Sequence, residues 1–127
     1  MTATLELGAL AAETADLRTS DTGWYRVCPV EDLELSWGEA ALIAGRQVAL
    51  FRTGPETVFA VAQEDPATGA YVMARGILGS RGARPTIASP LHKEVYDLET
   101  GECLSGPGAA LATFAVRIAD GCIQVGL

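Results

Sequence analysis

The chain has 127 residues, 49% of them hydrophobic and 20% charged, with a formal net charge of −7. That length suits one domain with a single buried core, and the composition is that of a folded protein rather than a disordered one. The acidic balance argues against nucleic acid and anionic membranes, which need clustered Lys and Arg, and no stretch approaches the roughly 20 apolar residues of a bilayer span.

Residues 1–22, "MTATLELGALAAETADLRTSDT", read as an N-terminal tail or arm, with Leu5, Leu7 and Leu10 able to pack locally. Without a basic leading region it is not a secretory signal, so a cytoplasmic location is expected, with the domain proper over residues 23–127. The three cysteines, Cys28, Cys103 and Cys122, lack the close spacing of a zinc ribbon or disulfide framework and read as core thiols.

The first strand lies in "WYRVCP", where Trp24, Arg26 and Cys28 alternate with Tyr25 and Val27 until Pro29 ends the ladder. A turn with a short extended piece, "EDLELSWGEAAL", presents Trp37 as an exposed aromatic. "ALIAGRQVALFRT" reads as a hairpin turning at Gly45-Arg46, with Val48 and Leu50 on one face. After "GPE" comes the strand "TVFAVAQ". From Gln63 to Ala88 four glycines and two prolines mark a long, loop-rich excursion, with a short helical turn inside residues 69–78 left open. Strands resume at "KEVYDLE", "CLSG", "ATFAVRIAD" and "CIQVGL". The last two form a hairpin at Asp120-Gly121, with Phe114, Val116 and Ile118 against Ile123 and Val125. About eight to ten short strands with little helical periodicity predict an all-β antiparallel sandwich or small barrel, with two long loops at one end.

Those two loops carry a resemblance. "SPLHK" followed by "EVYDLETGECL" is similar to the second cluster loop of the Rieske fold, and "DPATGA" stands where its first cluster loop carries Cys-Pro-His-x-Gly-Ala. Asp65 then occupies the first cysteine position, Ala67 the first histidine, Ser89 the second cysteine and His92 the second histidine. A Rieske centre needs two thiolates on one iron and two imidazoles on the other. Only His92 keeps its ligand type, so no cluster and no other metal is expected in this chain.

The stretch from Trp24 to Val125 resembles, more specifically, the family of small subunits of cytoplasmic NAD(P)H-dependent assimilatory nitrite reductases. It does so through "WYRVCPVEDL", "RQVALFR", "VFAVAQEDPATGAYVMARGILGSRGARPTIASPLHKEVYDLETGECL" and "FAVRIADGCIQV". The resemblance implies an accessory subunit of an oxidoreductase that takes nitrite to ammonia in nitrate assimilation. It also implies a large-subunit partner holding FAD, an iron–sulfur cluster and sirohaem. No nucleotide-binding glycine motif or four-cysteine spacing is present here, and no catalytic site is expected in the isolated chain.

The two loops are the expected docking face. Pro66 and Pro90 pre-set backbone angles, Arg75, His92 and Lys93 offer polar contacts, and Tyr71 and Met73 apolar ones. Plainer roles stand beside these. His92 can bridge the two loops by hydrogen bonds, Asp65 can start a turn, "EVYDLETGE" reads as a solvated acidic face, and Trp24 and Tyr96 read as core. Two other readings are a Rieske-type ferredoxin that transfers electrons and a stand-alone protein-binding module.

Overall fold

The computed structural model describes residues 23–127. The expected tail over residues 1–22 lies outside the described residues. Nine strands follow in order: β1 (Trp24–Pro29), β2 (Trp37–Ile43), β3 (Arg46–Gly54), β4 (Thr57–Ala62), β5 (Ile77–Arg81), β6 (Arg84–Ala88), β7 (Val95–Asp97), β8 (Thr113–Ala119) and β9 (Cys122–Gly126). They form two antiparallel sheets, one of six strands in the order β1-β9-β8-β4-β3-β2 and one of three in the order β5-β6-β7. Two 3-10 turns, Val30–Asp32 and Met73–Arg75, complete the regular structure among the described residues. No described helix is long and apolar enough to cross a membrane.

The side-chain period of two places β3 and β4 between two hydrophobic cores. Val48 and Leu50 point into the first core with Val58, Ala60, Val27, Ile43, Ile123 and Val125. The alternate residues Ala49, Phe51 and Val61 point into the second, with Met73, Ile87, Tyr96, Leu98 and Leu111. The expected single core is therefore two, one on each face of β3. The terminal hairpin pairs Val116 with Val125 and Ile118 with Ile123, the predicted register. Its turn has positive φ at both Asp120 (53°) and Gly121 (75°), which the right-handed twist of the flanking strands demands.

Four expectations are corrected. The β2–β3 turn falls at Ala44-Gly45, because Ile43 pairs with Arg46; Ala44 takes φ 51° and Gly45 82° to make it. The stretch from Gln63 to Ala88 is not all loop: β5 and β6 pair from Ile77↔Ala88 to Arg81↔Arg84. β5 escapes a period-two reading because it is an edge strand, mostly exposed, whose polar and small residues carry little apolar alternation. The cysteines are half-buried at the margins of the cores rather than inside them. Trp24 is likewise half-buried, with the Arg117 guanidinium 4.1 Å above its ring, whereas Tyr96 is a core residue at 1% exposure.

Candidate functional site

The first loop, residues 63–76, hangs from Gln63 at the end of β4. The Gln63 carbonyl accepts the N–H groups of Val72 and Met73, both at 3.0 Å. Its side-chain oxygen accepts from the Ala74 N–H (2.8 Å), and its side-chain amide donates to the Tyr71 carbonyl (3.3 Å). A buried polar group satisfied on every side is a structural anchor. Sequence reasoning passed over Gln63, since nothing local distinguishes a glutamine that folds back on its own loop from one in solvent.

Beyond Gln63, Asp65 opens the turn that Pro66 stiffens. The Asp65 carbonyl accepts from Gly69 N–H (2.7 Å), and its carboxylate Oδ1 accepts from Ala67 N–H (2.8 Å). The second loop is a tighter turn. Ser89 N–H donates to the Glu94 carbonyl (2.9 Å), and Lys93, in the left-handed region at φ 62°, donates its N–H to the Ser89 carbonyl (3.0 Å).

The two loops are joined by one side-chain bond. Ser89 Oγ donates to Asp65 Oδ2 at 2.6 Å, with both residues fully buried. The same hydroxyl oxygen accepts from Leu91 N–H at 3.3 Å. At 2.6 Å the bond is short and charge-assisted, in a setting where leaving either group without its partner is costly. The loop-bridging role expected of His92 therefore falls to the Ser89–Asp65 pair. His92 is exposed and has no hydrogen-bond partner among the described residues.

The positions that correspond to Rieske ligands thus carry a carboxylate, a methyl group, a hydroxyl and one solvent-facing imidazole. The carboxylate and hydroxyl are already spent on each other and on backbone N–H groups. Among the described residues no group of three or more His, Cys, Asp or Glu side chains converges as a metal site. This donor set does not fit a two-iron cluster, which requires thiolates.

Beneath the loops, burial first, then the charges of Asp65, Cys103 and Glu94, push the Tyr96 hydroxyl up to about 12. Asp97, expected on a solvated face, is instead buried and builds the "DLETG" turn. Its Oδ1 accepts from Glu99 (2.7 Å) and Thr100 (3.1 Å), and its Oδ2 accepts from Arg84 Nε (2.6 Å). Burial alone would raise this carboxyl, but the Thr100 N–H, the Arg84 guanidinium and the Glu99 N–H together hold it below its ordinary value.

The residues expected to dock a partner divide. Tyr71, Arg75, His92 and Lys93 are exposed, and Pro66 and Pro90 are half-buried at the loop bends. Met73 is corrected: it is fully buried in the second core, because the 3-10 turn at Met73–Arg75 points its side chain inward against Phe51 and Ile87. Trp37 is 54% exposed, as its polar surroundings suggested, and Ile77, which sequence reasoning did not single out, is 58% exposed. Both line a groove of about 750 Å³ together with Arg75, Gly38 and Gly76.

Comparison with known proteins matches residues 23–126 to the model of the Rieske-like [2Fe-2S] domain family. The nitrite reductase (NADH) small subunit of Salmonella typhimurium is 32% identical over 103 residues, covering 80% of this chain and 95% of that protein. A nitrite reductase [NAD(P)H] large subunit from Klebsiella oxytoca is 33% identical over 103 residues, covering 81% of this chain but only 11% of that much longer protein. Among solved structures, an NADH-dependent nitrite reductase small subunit from Mycobacterium tuberculosis superposes with a TM-score of 0.78. It is 39% identical, with 82% of this chain and 94% of that one covered.

Proposed function

The chain belongs to the Rieske-like [2Fe-2S] domain family and, within it, to the nitrite reductase small subunits, and from that premise we propose that it works as an accessory subunit docked on a large subunit. One observation carries the choice of partner. The Klebsiella large subunit contains a stretch similar to 81% of this chain within its own polypeptide, which supports a large subunit as the partner of this chain. FAD, an iron–sulfur cluster and sirohaem belong to the large subunit on this reading. The assembled enzyme reduces nitrite to ammonia in the cytoplasm, in nitrate assimilation. The docking domain on this reading is residues 23–127.

This chain's own contribution is a shaped surface. The Ser89–Asp65 bond and the Gln63 anchor hold the two loops in one arrangement, so little freedom is lost when a partner covers them. Tyr71, His92 and Lys93, with Pro66 and Pro90 at the bends, present that surface, and no electron passes through the degenerate ligand positions.

Co-expression of the full chain with the large subunit tests the reading. A stable complex is expected, with NAD(P)H-dependent nitrite reduction that falls when the small subunit is omitted. Tyr71→Ala with Lys93→Glu should weaken the complex. A large subunit that never binds this chain, and works equally well without it, would remove the proposal.

A further inference from the structure

We propose that Glu94 is the charged anchor of the docking face, its carboxylate accepting a Lys or Arg side chain of the large subunit. This deepens the docking reading and rests on it.

Glu94 opens the stretch that reads from sequence as a solvated acidic face, yet the residue is half-buried and its Oε1 is fully buried. That oxygen receives no N–H or O–H from any described residue. No ion pair reaches the carboxylate from Lys93 or from another described cation. The buried carboxylates of Asp65 and Asp97 are satisfied by contrast. Asp65 accepts from the Ala67 N–H (2.8 Å) and the Ser89 hydroxyl (2.6 Å), and Asp97 from Glu99, Thr100 and Arg84. A buried acceptor without a donor is costly and rare in a folded protein, so its retention calls for a reason.

The surroundings select the occupant. The main chain at Glu94 is pinned, since its carbonyl accepts from Ser89 N–H (2.9 Å) and Lys93 before it turns through φ 62°. A left-handed lysine is a strained choice where glycine fits freely, and such strain concentrates at functional sites. Leu91 is exposed on this loop and Tyr71 on the other, so each loop presents one large apolar side chain. Contacts of that kind exclude water around a charged pair and strengthen it. The last torsion of a glutamate side chain is broad and roughly two-fold, so the carboxylate can turn its buried oxygen toward an incoming donor. Burial first, then the charges of Asp65, Cys103 and Glu94, raise the Tyr96 hydroxyl, so two carboxylates already act on the region beneath the loops. In a chain of net charge −7 the complementary group is a cation. The large subunit is its source because Glu94 lies in the second docking loop, next to Lys93, and the Klebsiella large subunit carries a similar stretch in its own polypeptide.

The test compares two substitutions in the full chain, alone and bound to its large subunit. Glu94→Met keeps much of the volume and removes the stranded acceptor, so the Tm of the free chain is expected to stay level or rise. Its affinity for the large subunit is expected to fall about tenfold or more. Glu94→Gln keeps the shape and loses the charge, and is expected to weaken association less while flattening its salt dependence. A purely structural glutamate would lower Tm and affinity together, and that result would overturn the anchor assignment. So would unchanged affinity of Glu94→Met while the wild-type complex forms. Self-association of the chain alone that Glu94→Met abolishes would give the donor to a second copy and overturn it too. Failure of the wild-type pair to associate would overturn the docking reading with it.

Discussion

Ser89 and Asp65 stand where a Rieske protein places thiolates, and their hydrogen bond ties one loop to the other across 24 residues of sequence. Between two fully buried residues a hydroxyl–carboxylate bond of 2.6 Å is as directional a tie as the sequence could supply from these residue types. Ser89→Ala leaves a fully buried carboxylate short of a donor and should cost about 1–3 kcal/mol, several degrees in Tm. Asp65→Ala/Ser89→Ala should cost less than the two single changes added together, since removing both partners leaves nothing stranded. Additive costs in thermal unfolding would mean that the pair is not coupled. That these two positions matter was legible from the loop resemblance. That they bond to each other, and that His92 does not join them, depends on distances between segments far apart in the chain.

At the level of elements, the loops are positioned by where strands approach one another. Gly76 ends the 3-10 turn at Met73–Arg75 and lies against the end of β6, where an added Cβ would also meet Ile87 Cδ1 at 2.9 Å. Gly76→Ala must push backbone away from backbone, so it is expected to destabilise the domain by about 1–3 kcal/mol. It should also weaken binding of the large subunit more than a distant change of equal cost, because Arg75 moves with the turn. Equal effects of the two in Tm-matched binding assays would separate the turn from the docking face. The hairpins β2–β3 and β8–β9 were readable from local pattern because both bury alternate residues on either side of a Gly-containing turn. β5 was not, since an exposed edge strand owes its extended form to its neighbour rather than to its own alternation.

For the whole molecule, two buried groups contribute a pH dependence to stability. Tyr96 ionises at about 12 in the folded protein against about 10 when unfolded. Its stabilising effect is complete below pH 10 and is lost as pH rises through 12. The Tm of wild type should therefore fall over that interval more steeply than that of Tyr96→Phe. Asp97 behaves in the opposite sense. Held below the ordinary carboxylate value by backbone N–H groups and Arg84, it stabilises the fold above about pH 4 and ceases to do so as pH drops through its folded value. Matching pH–Tm profiles for Asp97→Asn and wild type below pH 4 would contradict this. What the sequence by itself determined is the inventory: β class from alternation and turn residues, a cluster-free ligand set from residue chemistry, and the family from the two loops. Only the tertiary structure decided that β3 separates two cores, that Met73 is core and not surface, that Ser89 and Asp65 close the loops, and that Glu94 is half-buried rather than solvated. The reason is physical: alternation and side-chain chemistry are properties of a residue and its neighbours in the chain. Burial, pairing and charge complementarity are properties of what the fold brings against it.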